Sequence, residues 1–167
     1  LFHGGQDQPT AEWLERAERL LELLADGDYD VNIRVLGEEQ MPGIYAGFAA
    51  AGLGGEPTIF INADWWNQAE SQQRLEVLVE EYGHSFDHFL NPDNDTPGDE
   101  GEAFAIQVLE LPGDLQRDAR IAGEDDHTSI FLNEQSYSVE ASGSFFDVDN
   151  NPLSFNSFTE IVGGTSV

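Results

Sequence analysis

One stretch of the chain, residues 79 to 88, places metal-ligating and acid–base residues at helical spacing. On a helix, Glu80, His84 and His88 follow one another at intervals of one turn and project from one face, and Glu81 adjoins that face. One type of site for metal-assisted peptide hydrolysis uses two ligands one helical turn apart, a glutamate beside the first that activates the attacking water, and a third ligand from farther along the chain.

Two segments carry a family resemblance. Glu80 to Asp87 reads Glu-Glu-Tyr-Gly-His-Ser-Phe-Asp, and Asp99 to Ala105 reads Asp-Glu-Gly-Glu-Ala-Phe-Ala. They resemble the His-Glu-x-Gly-His-x-x-Asp and later Glu-x-Phe-Ala elements of the anthrax-lethal-factor-like metallopeptidases. They are still more similar to a zincin-like domain of large secreted bacterial proteins with calcium-binding or cadherin-like repeats, in which Glu-Glu-x-Gly-His and Gly-Asp-Glu-Gly-Glu recur. The similarity covers roughly Thr58 to Asp126.

The resemblance implies a role for each matching residue. Glu81 would be the general base, His84 a metal ligand and Glu102 the third ligand. Thr58 to Asn62 would be the edge strand along which a substrate lies. The chain departs from the family at Glu80, which replaces the first histidine ligand. The resulting Glu, His, Glu set is rich in oxygen and would suit manganese or calcium as well as zinc.

His88 offers an alternative ligand. His84 to His88 reads as an inverted zincin motif with aspartate in place of glutamate. Spacing alone leaves open a site built from Glu80, His84 and His88, or from only some of them. Because adjacent glutamates are expected on helices of so acidic a chain, a purely structural role for Glu80 and Glu81 also stays open.

The charge balance limits the function classes. The 167 residues include 33 Asp and Glu but only 6 Lys and Arg, all of them arginine, so the net charge is −27. Such a chain is not expected to bind nucleic acid. We expect calcium or high salt to screen the carboxylates. There is no cysteine, and no apolar stretch is long enough to insert into a membrane.

The elements that must position these residues predict an α+β fold of zincin-like plan, in which a small sheet and an active-site helix precede C-terminal strands. The pattern changes near residue 127, which predicts one domain over 1–127 and a β-strand segment over 128–167. The resemblance implies that the first is a zincin-like domain and that the second begins, or leads into, a cadherin-like repeat. The predicted helices are Thr10 to Gly27, Ser71 to Leu90 and Glu102 to Leu109, and the predicted strands are Tyr29 to Leu36, Ile44 to Phe48, Pro57 to Asn62, Ser129 to Leu132, Gln135 to Val139, Gly143 to Val148 and Leu153 to Phe158.

Three further acidic segments could bind cations. Asp93 to Glu100 suggests an irregular calcium loop, with a solvated loop as the alternative. Glu124 to Asp126 is interpreted as a turn. Phe145 to Phe155 resembles the Asp-x-Asp-Gly-Asp-x-Leu-x-Tyr element of cadherin-like bacterial repeats, with Asp147 and Asp149 as calcium ligands, while an ordinary hairpin fits it equally well.

Two functions follow as hypotheses. The first is a metal-dependent peptidase-like domain, hydrolysing a peptide substrate or processing its own parent, within a large secreted or surface-exposed bacterial protein of which this chain would be a monomeric fragment. Phe60 and Trp65 or Trp66 would line the substrate cleft. The second is a catalytically inactive, calcium-stabilised module that binds a peptide or protein ligand in adhesion.

Overall fold

The computed structural model describes residues 1–2, 4, 8–112, 121–122 and 126–143 of the chain. Within these residues the fold is α+β, as predicted. A single 3₁₀ turn, Leu53–Gly55, precedes the third strand. The helices are α1 (Ala11–Asp26), α2 (Ala63–Gln68), α3 (Ser71–Leu90) and α4 (Glu100–Val108), and the strands are β1 (Asn32–Leu36), β2 (Ile44–Ala49), β3 (Thr58–Asn62), β4 (His127–Leu132) and β5 (Gln135–Gly143).

The five strands form one mixed sheet in the order β1-β3-β2-β5-β4. β1 and β3 are parallel, whereas β2 is antiparallel to both β3 and β5, and β4 is antiparallel to β5. β3 therefore lies between two partners, and all five of its residues are buried. The prediction that Thr58 to Asn62 is an edge strand open to substrate is wrong, because both of its backbone edges are already paired.

Local signals set the helix ends. Thr10 caps α1 by accepting the backbone N–H of Trp13, and Gly27 ends the helix in a left-handed conformation. The short helix α2 was not predicted. It begins directly after β3 because the Asn62 side chain accepts the backbone N–H groups of Asp64 and Trp65.

α3 has the predicted bounds. At its start, Glu70 and Gln73 form a reciprocal capping box, and at its end the chain leaves the helix at Asn91. α4 begins two residues before the predicted position, because Asp99 caps it by accepting the backbone N–H of Glu102 at 2.7 Å. The loop between α3 and α4 is therefore two residues shorter than the predicted helix ends imply.

The core has two layers, one on each face of the sheet. α3 covers one face, where Phe48, Ile59 and Ile61 pack with Leu78 and Tyr82. α1 packs on the outer side of α3. The other face buries Phe60 completely among residues of β4 and β5. Phe60 is thus a core residue, and the prediction that it lines a substrate cleft is wrong.

The β4–β5 hairpin belongs to the same sheet as β1 to β3, because β5 pairs directly with β2. The hairpin begins at the predicted division near residue 127 and follows it in the chain. It nevertheless shares its core with the N-terminal elements. Two predicted strands, Gly143 to Val148 and Leu153 to Phe158, and the segment that resembles cadherin-like repeats extend beyond or lie outside the described residues. The division into two segments stays a prediction.

In the described part of the chain, none of the helices combines the length and the apolar character that crossing a membrane would require.

Candidate metal centre

α3 and α4 approach each other closely through two glycines. A Cβ on Gly83 would lie 2.8 Å from the Cα of Gly101, a distance that real side chains do not adopt. A Cβ on Gly101 would in turn overlap the ring of His84, at 2.6 Å from both Cδ2 and Cε1. Both glycines belong to the motifs that carry the family resemblance, and their role here is to let the imidazole of α3 lie against the backbone of α4.

His84 is the centre of the cluster and is completely buried. Its Nδ1 lies 2.8 Å from Glu100 Oε1 and 2.8 Å from Glu140 Oε2. On the other side of the ring, Nε2 lies 3.5 Å from Asp126 Oδ2 and 3.9 Å from Asp99 Oδ1. One imidazole is therefore surrounded by four carboxylates from α4, β5 and the segments that precede α4 and β4.

The position of Gly101 leaves the Nε2 lone pair open. A Cβ there would be nearly equidistant from Nε2, Cδ2 and Cε1, so it would sit over the face of the ring. The lone pair of a neutral Nε2 lies in the ring plane, and the nearest carboxylate oxygens on this side belong to Asp126 and Asp99. Histidines that bind a metal ion through one ring nitrogen commonly donate the N–H of the other to a carboxylate, and Nδ1 of His84 already has such partners.

Ser142 of β5 joins the two glutamates of α3. Its Oγ lies 2.7 Å from Glu80 Oε1 and 2.6 Å from Glu81 Oε1, and its backbone N–H donates to Glu81 Oε1 at 3.4 Å. A hydroxyl has only one hydrogen to donate. The second carboxylate contact therefore requires a proton on Glu80 or Glu81.

Three buried polar atoms have no hydrogen-bond partner within the described structure: Glu81 Oε2, His84 Nε2 and Asp126 Oδ2. Buried polar atoms are nearly always paired, so these three atoms require an explanation. His84 Nε2 and Asp126 Oδ2 lie 3.5 Å apart, which is too long for a good hydrogen bond, and a cation in contact with both would satisfy them. Ligand atoms of Glu80, His84 and Asp99 lie within 4.8 Å of one another, as do those of His84, Asp126 and Glu140. These groups could hold a metal ion.

The cluster has an excess of negative charge. Glu81, Asp99, Glu100 and Asp126 are each at most 4% exposed. In the described part of the chain, two histidines contact these carboxyls: the buried His84, and the exposed His127, whose Nδ1 lies 3.4 Å from Asp126 Oδ1. The described arginines make their hydrogen bonds elsewhere: Arg16 with the Leu90 carbonyl, Arg19 with Glu22 and Arg74 with the Ala69 carbonyl, while Arg34 lies exposed on β1.

Burial raises the pKa of several carboxyls in the cluster. It raises the pKa of Glu81 to about 8, against the opposing effects of His84 and Ser142. Burial likewise raises the pKa of Glu100 to about 7 and that of Asp126 to about 6. For His84, burial lowers the pKa, but the hydrogen bonds to Glu100 and Glu140 outweigh it and raise the pKa well above its ordinary value. The carboxyls tend to retain protons, and the imidazole tends to gain one.

Of the predicted site residues, Glu80, Glu81 and His84 come together. His88 does not join them. Its ring lies 5.9 Å from that of Phe48, and it lines a separate cavity of about 410 Å³ with Tyr29. Among the described residues, the ligand groups around His84 include neither His88 nor Glu102.

Glu102 lies buried on α4, where its backbone N–H donates to the Oδ1 of the N-cap residue Asp99. Its assignment as the third ligand stays a prediction, and Asp99 occupies the position beside Glu80 and His84.

The sequence interpretation missed the residues that arrive from distant elements. Asp126 was assigned to a turn, Asp99 and Glu100 were assigned to an irregular calcium loop rather than to the site at His84, and Glu140 and Ser142 were not assigned. Asp99 could have been recognised as an N-cap three residues before Glu102. Glu140 and Ser142 alternate with the buried Val139 and Ala141, which marks them as facing the opposite side of β5.

The acidic loop after α3 is organised by Asp87. Its Oδ1 accepts hydrogen bonds from Asn91 Nδ2 at 2.8 Å and from Thr96 Oγ1 at 2.5 Å, and its Oδ2 accepts the Thr96 backbone N–H at 3.1 Å. Ligand atoms of Asp87, Asp95 and Glu100 also lie within 4.8 Å of one another. Asp87 thereby fixes the segment that delivers Asp99 to His84.

No family model, no curated protein and no solved structure matches this chain.

Proposed function

We propose that this chain is a divalent-cation-binding domain in which the cation stabilises the fold and does not serve peptide hydrolysis. Glu80, His84, Asp99 and Asp126 would hold the ion. The observation that carries the proposal is that His84 Nε2 and Asp126 Oδ2, two buried atoms without a hydrogen bond, lie 3.5 Å apart and belong to proposed ligands.

The charge balance supports a cation with two positive charges. An uncompensated buried charge costs several kcal/mol even after the surrounding protein relaxes. A protonated His84 offsets one carboxylate, whereas the groups around it include Asp99, Glu100, Asp126 and Glu140. A divalent cation would offset two more, and it would allow the ligands to lose their protons.

The donor set favours a transition metal. Calcium is coordinated by oxygen atoms, whereas an imidazole nitrogen suits zinc, and the surrounding carboxylates also suit manganese. His84 Nε2 is the unpartnered nitrogen of the cluster. Zinc or manganese is therefore the proposed ion at His84, and calcium would have to bind through carboxylates alone.

β5 argues against peptide hydrolysis. Glu81 and His84 have no exposed surface, and Ser142 of β5 lies against the glutamate that would act as the base. Opening this side would expose Ile130, Leu132 and Val139 of the hairpin core. At about 1.5–3 kcal/mol for each side chain, opening would cost at least about 4.5 kcal/mol. Roughly one molecule in 10³ or fewer would then be open.

One observation favours hydrolysis as a second candidate function. Glu81 Oε2 is unpartnered beside the proposed cation site, and burial raises the pKa of this carboxyl to about 8. A bound divalent cation would supply Lewis-acid polarisation, and Glu81 could take up a proton. A secreted bacterial parent protein and a role in adhesion remain predictions that rest on the resemblance.

The deciding experiment measures metal content and thermal stability together. Protein purified without chelator is analysed for metals, stripped with EDTA and melted with added zinc, manganese or calcium. At an ion concentration about 100-fold above the dissociation constant, we expect a rise in melting temperature of roughly 5–10 °C. The rise should be lost in Asp126→Asn but kept in Asp93→Asn, a matched control at an exposed position of the acidic loop.

Equal responses of the two variants, or no response to any of the three ions, would refute the cation site. Hydrolysis is tested separately with a mixed peptide substrate. Cleavage by the metal-loaded protein that disappears in Glu81→Gln, while the metal content is unchanged, would replace stabilisation with hydrolysis as the function.

A further inference from the structure

A second site lies beside α2 and shares no lining residue with the metal cluster. It is a cavity of about 520 Å³. Its lining combines two carboxylates with two large aromatic rings and is formed by Glu38, Gly43, Tyr45, Asp64, Trp65 and Gln68.

One wall of this cavity is flat and aromatic. The rings of Tyr45 and Trp65 are stacked, with their centroids 4.9 Å apart and their planes inclined by 11°. Both side chains are half-buried, so the wall is neither part of the core nor fully solvated. The negative faces of aromatic rings attract cations, and indole does so most strongly.

The carboxylates of the cavity are held in place by hydrogen bonds. Glu38 Oε1 accepts the backbone N–H of Gly43 at 3.1 Å, and Glu38 Oε2 accepts Asn62 Nδ2 at 2.6 Å. Asp64 Oδ2 accepts the backbone N–H of Glu38 at 3.0 Å. Each oxygen can accept a second hydrogen bond. Among the ion pairs of the described residues, none involves Glu38 or Asp64.

We infer that this cavity binds the guanidinium group of an arginine side chain in a peptide or protein partner. A guanidinium is planar and can stack on an aromatic wall, while its five N–H donors form a fork that matches carboxylates. An ammonium group is a compact charge that cannot make both contacts with the same geometry. The net charge of −27 attracts a basic partner from a distance, and the pair of aromatic rings selects among basic groups.

The inference does not depend on the proposed cation, so its test uses the metal-stripped and the metal-loaded protein alike. The probe is N-acetyl-arginine amide, titrated at about 0.15 M salt, where charges farther apart than about 8 Å are screened. Binding is followed by isothermal titration calorimetry for every variant, and also by the NMR shift of the Trp65 indole N–H wherever Trp65 is retained. The uncharged citrulline analogue and the lysine analogue are titrated in parallel.

We expect arginine amide to bind more tightly than either analogue. Asp64→Asn should weaken binding by about tenfold, because a hydrogen bond to a charged group is lost, and Trp65→Leu should weaken it further or abolish it. Glu39→Gln is the matched control, since it removes one negative charge beside Glu38 at an exposed residue that does not line the cavity. Its affinity should be unchanged.

Three results would overturn the inference. Citrulline could bind as well as arginine, which would remove the role of charge. Glu39→Gln could weaken binding as much as Asp64→Asn, which would leave only non-specific attraction to an acidic surface. Finally, self-association of the wild-type chain that is lost in Asp64→Asn would place an arginine of a second copy in the cavity in place of a partner peptide.

Discussion

The backbone of Gly101 lies against the face of the His84 imidazole, so the ring is confined between α4 and the Glu140 carboxylate of β5. A Cβ at Gly101 would come within 2.6 Å of two ring carbons. This contact determines where Nε2 points, because the ring cannot move toward α4 and its Nδ1 is held by Glu100 and Glu140.

Gly101→Ala should destabilise the protein although alanine is the better helix former. Overpacking costs about 1–3 kcal/mol, and the gain in helix propensity returns up to about 1 kcal/mol. We expect a net loss of about 1–2 kcal/mol in urea unfolding, together with weaker cation binding. Ala103→Gly, on the same helix, measures the propensity difference alone. A Gly101→Ala variant as stable as the wild type would show that the ring is not confined.

Ser142→Ala should destabilise the protein by about 1–3 kcal/mol, because the hydroxyl's hydrogen bonds with the buried Glu81 and the half-buried Glu80, one donated and one accepted, are both lost. The control is Ser138→Ala, the same substitution at an exposed position of β5, which should change stability by less than about 0.5 kcal/mol. Chemical denaturation of both variants measures the difference. Similar small effects would mean that Ser142 does not bridge Glu80 and Glu81 in solution.

The metal-stripped protein should lose stability as the pH rises from about 4.5 to about 8. Glu81, Glu100 and Asp126 have pKa values raised to about 8, 7 and 6, so in this range the folded state binds more protons than the unfolded state. Protonated His84 acts in the same direction, because its pKa is raised and its stabilising contribution is lost as the pH passes that value. Urea denaturation in EDTA across this range measures the slope.

Bound cation should reverse that trend. Metal ligands must lose their protons to bind, so affinity for the ion increases with pH. The difference in stability between loaded and stripped protein is therefore expected to widen toward pH 8. Parallel pH profiles with and without the ion would contradict the assignment of these carboxyls to the site.

Asp87→Ala should loosen the loop that leads to α4. The substitution removes the acceptor of three hydrogen bonds from Asn91 and Thr96. We expect a loss of about 2–3 kcal/mol and faster hydrogen exchange at the Thr96 amide. Asp93→Ala, on the same loop, should leave that amide protected. Unchanged exchange in Asp87→Ala would show that the loop is held by other contacts.

The three longer helices and the positions of the strands along the chain could be predicted because their signals are local. The limits of α3 follow from an apolar repeat that starts after a capping segment and ends before Pro92. The start of α4 was misplaced because the apolar pattern begins later than the cap at Asp99. The helix after β3 was missed because Asn62 was read only as the last residue of a strand.

Neither the pairing of the strands nor the full set of residues in the cluster could be predicted from local sequence patterns. Whether β3 lies inside the sheet depends on β1 and β2 together, which no pattern within Thr58 to Asn62 records. Among 33 acidic residues, nothing in the sequence separates Glu140 from its neighbours until β5 is placed beside β2. His84 and His88 lie one turn apart on the same helix, yet the first contacts α4 and the second lies near Phe48 of β2.

The pairing of β5 with β2 also sets the order in which the cluster can form. The hydrogen bonds from Ser142 to the glutamates of α3 span 61 and 62 residues, so they close a long loop of chain. Contacts of such sequence separation form slowly, since the loop entropy is lost before the contact is gained. During synthesis α3 emerges well before β5, and its acidic face stays hydrated until the hairpin docks. Docking of β5, which brings Glu140 and Ser142 to the cluster around His84, is therefore expected to be a late folding event.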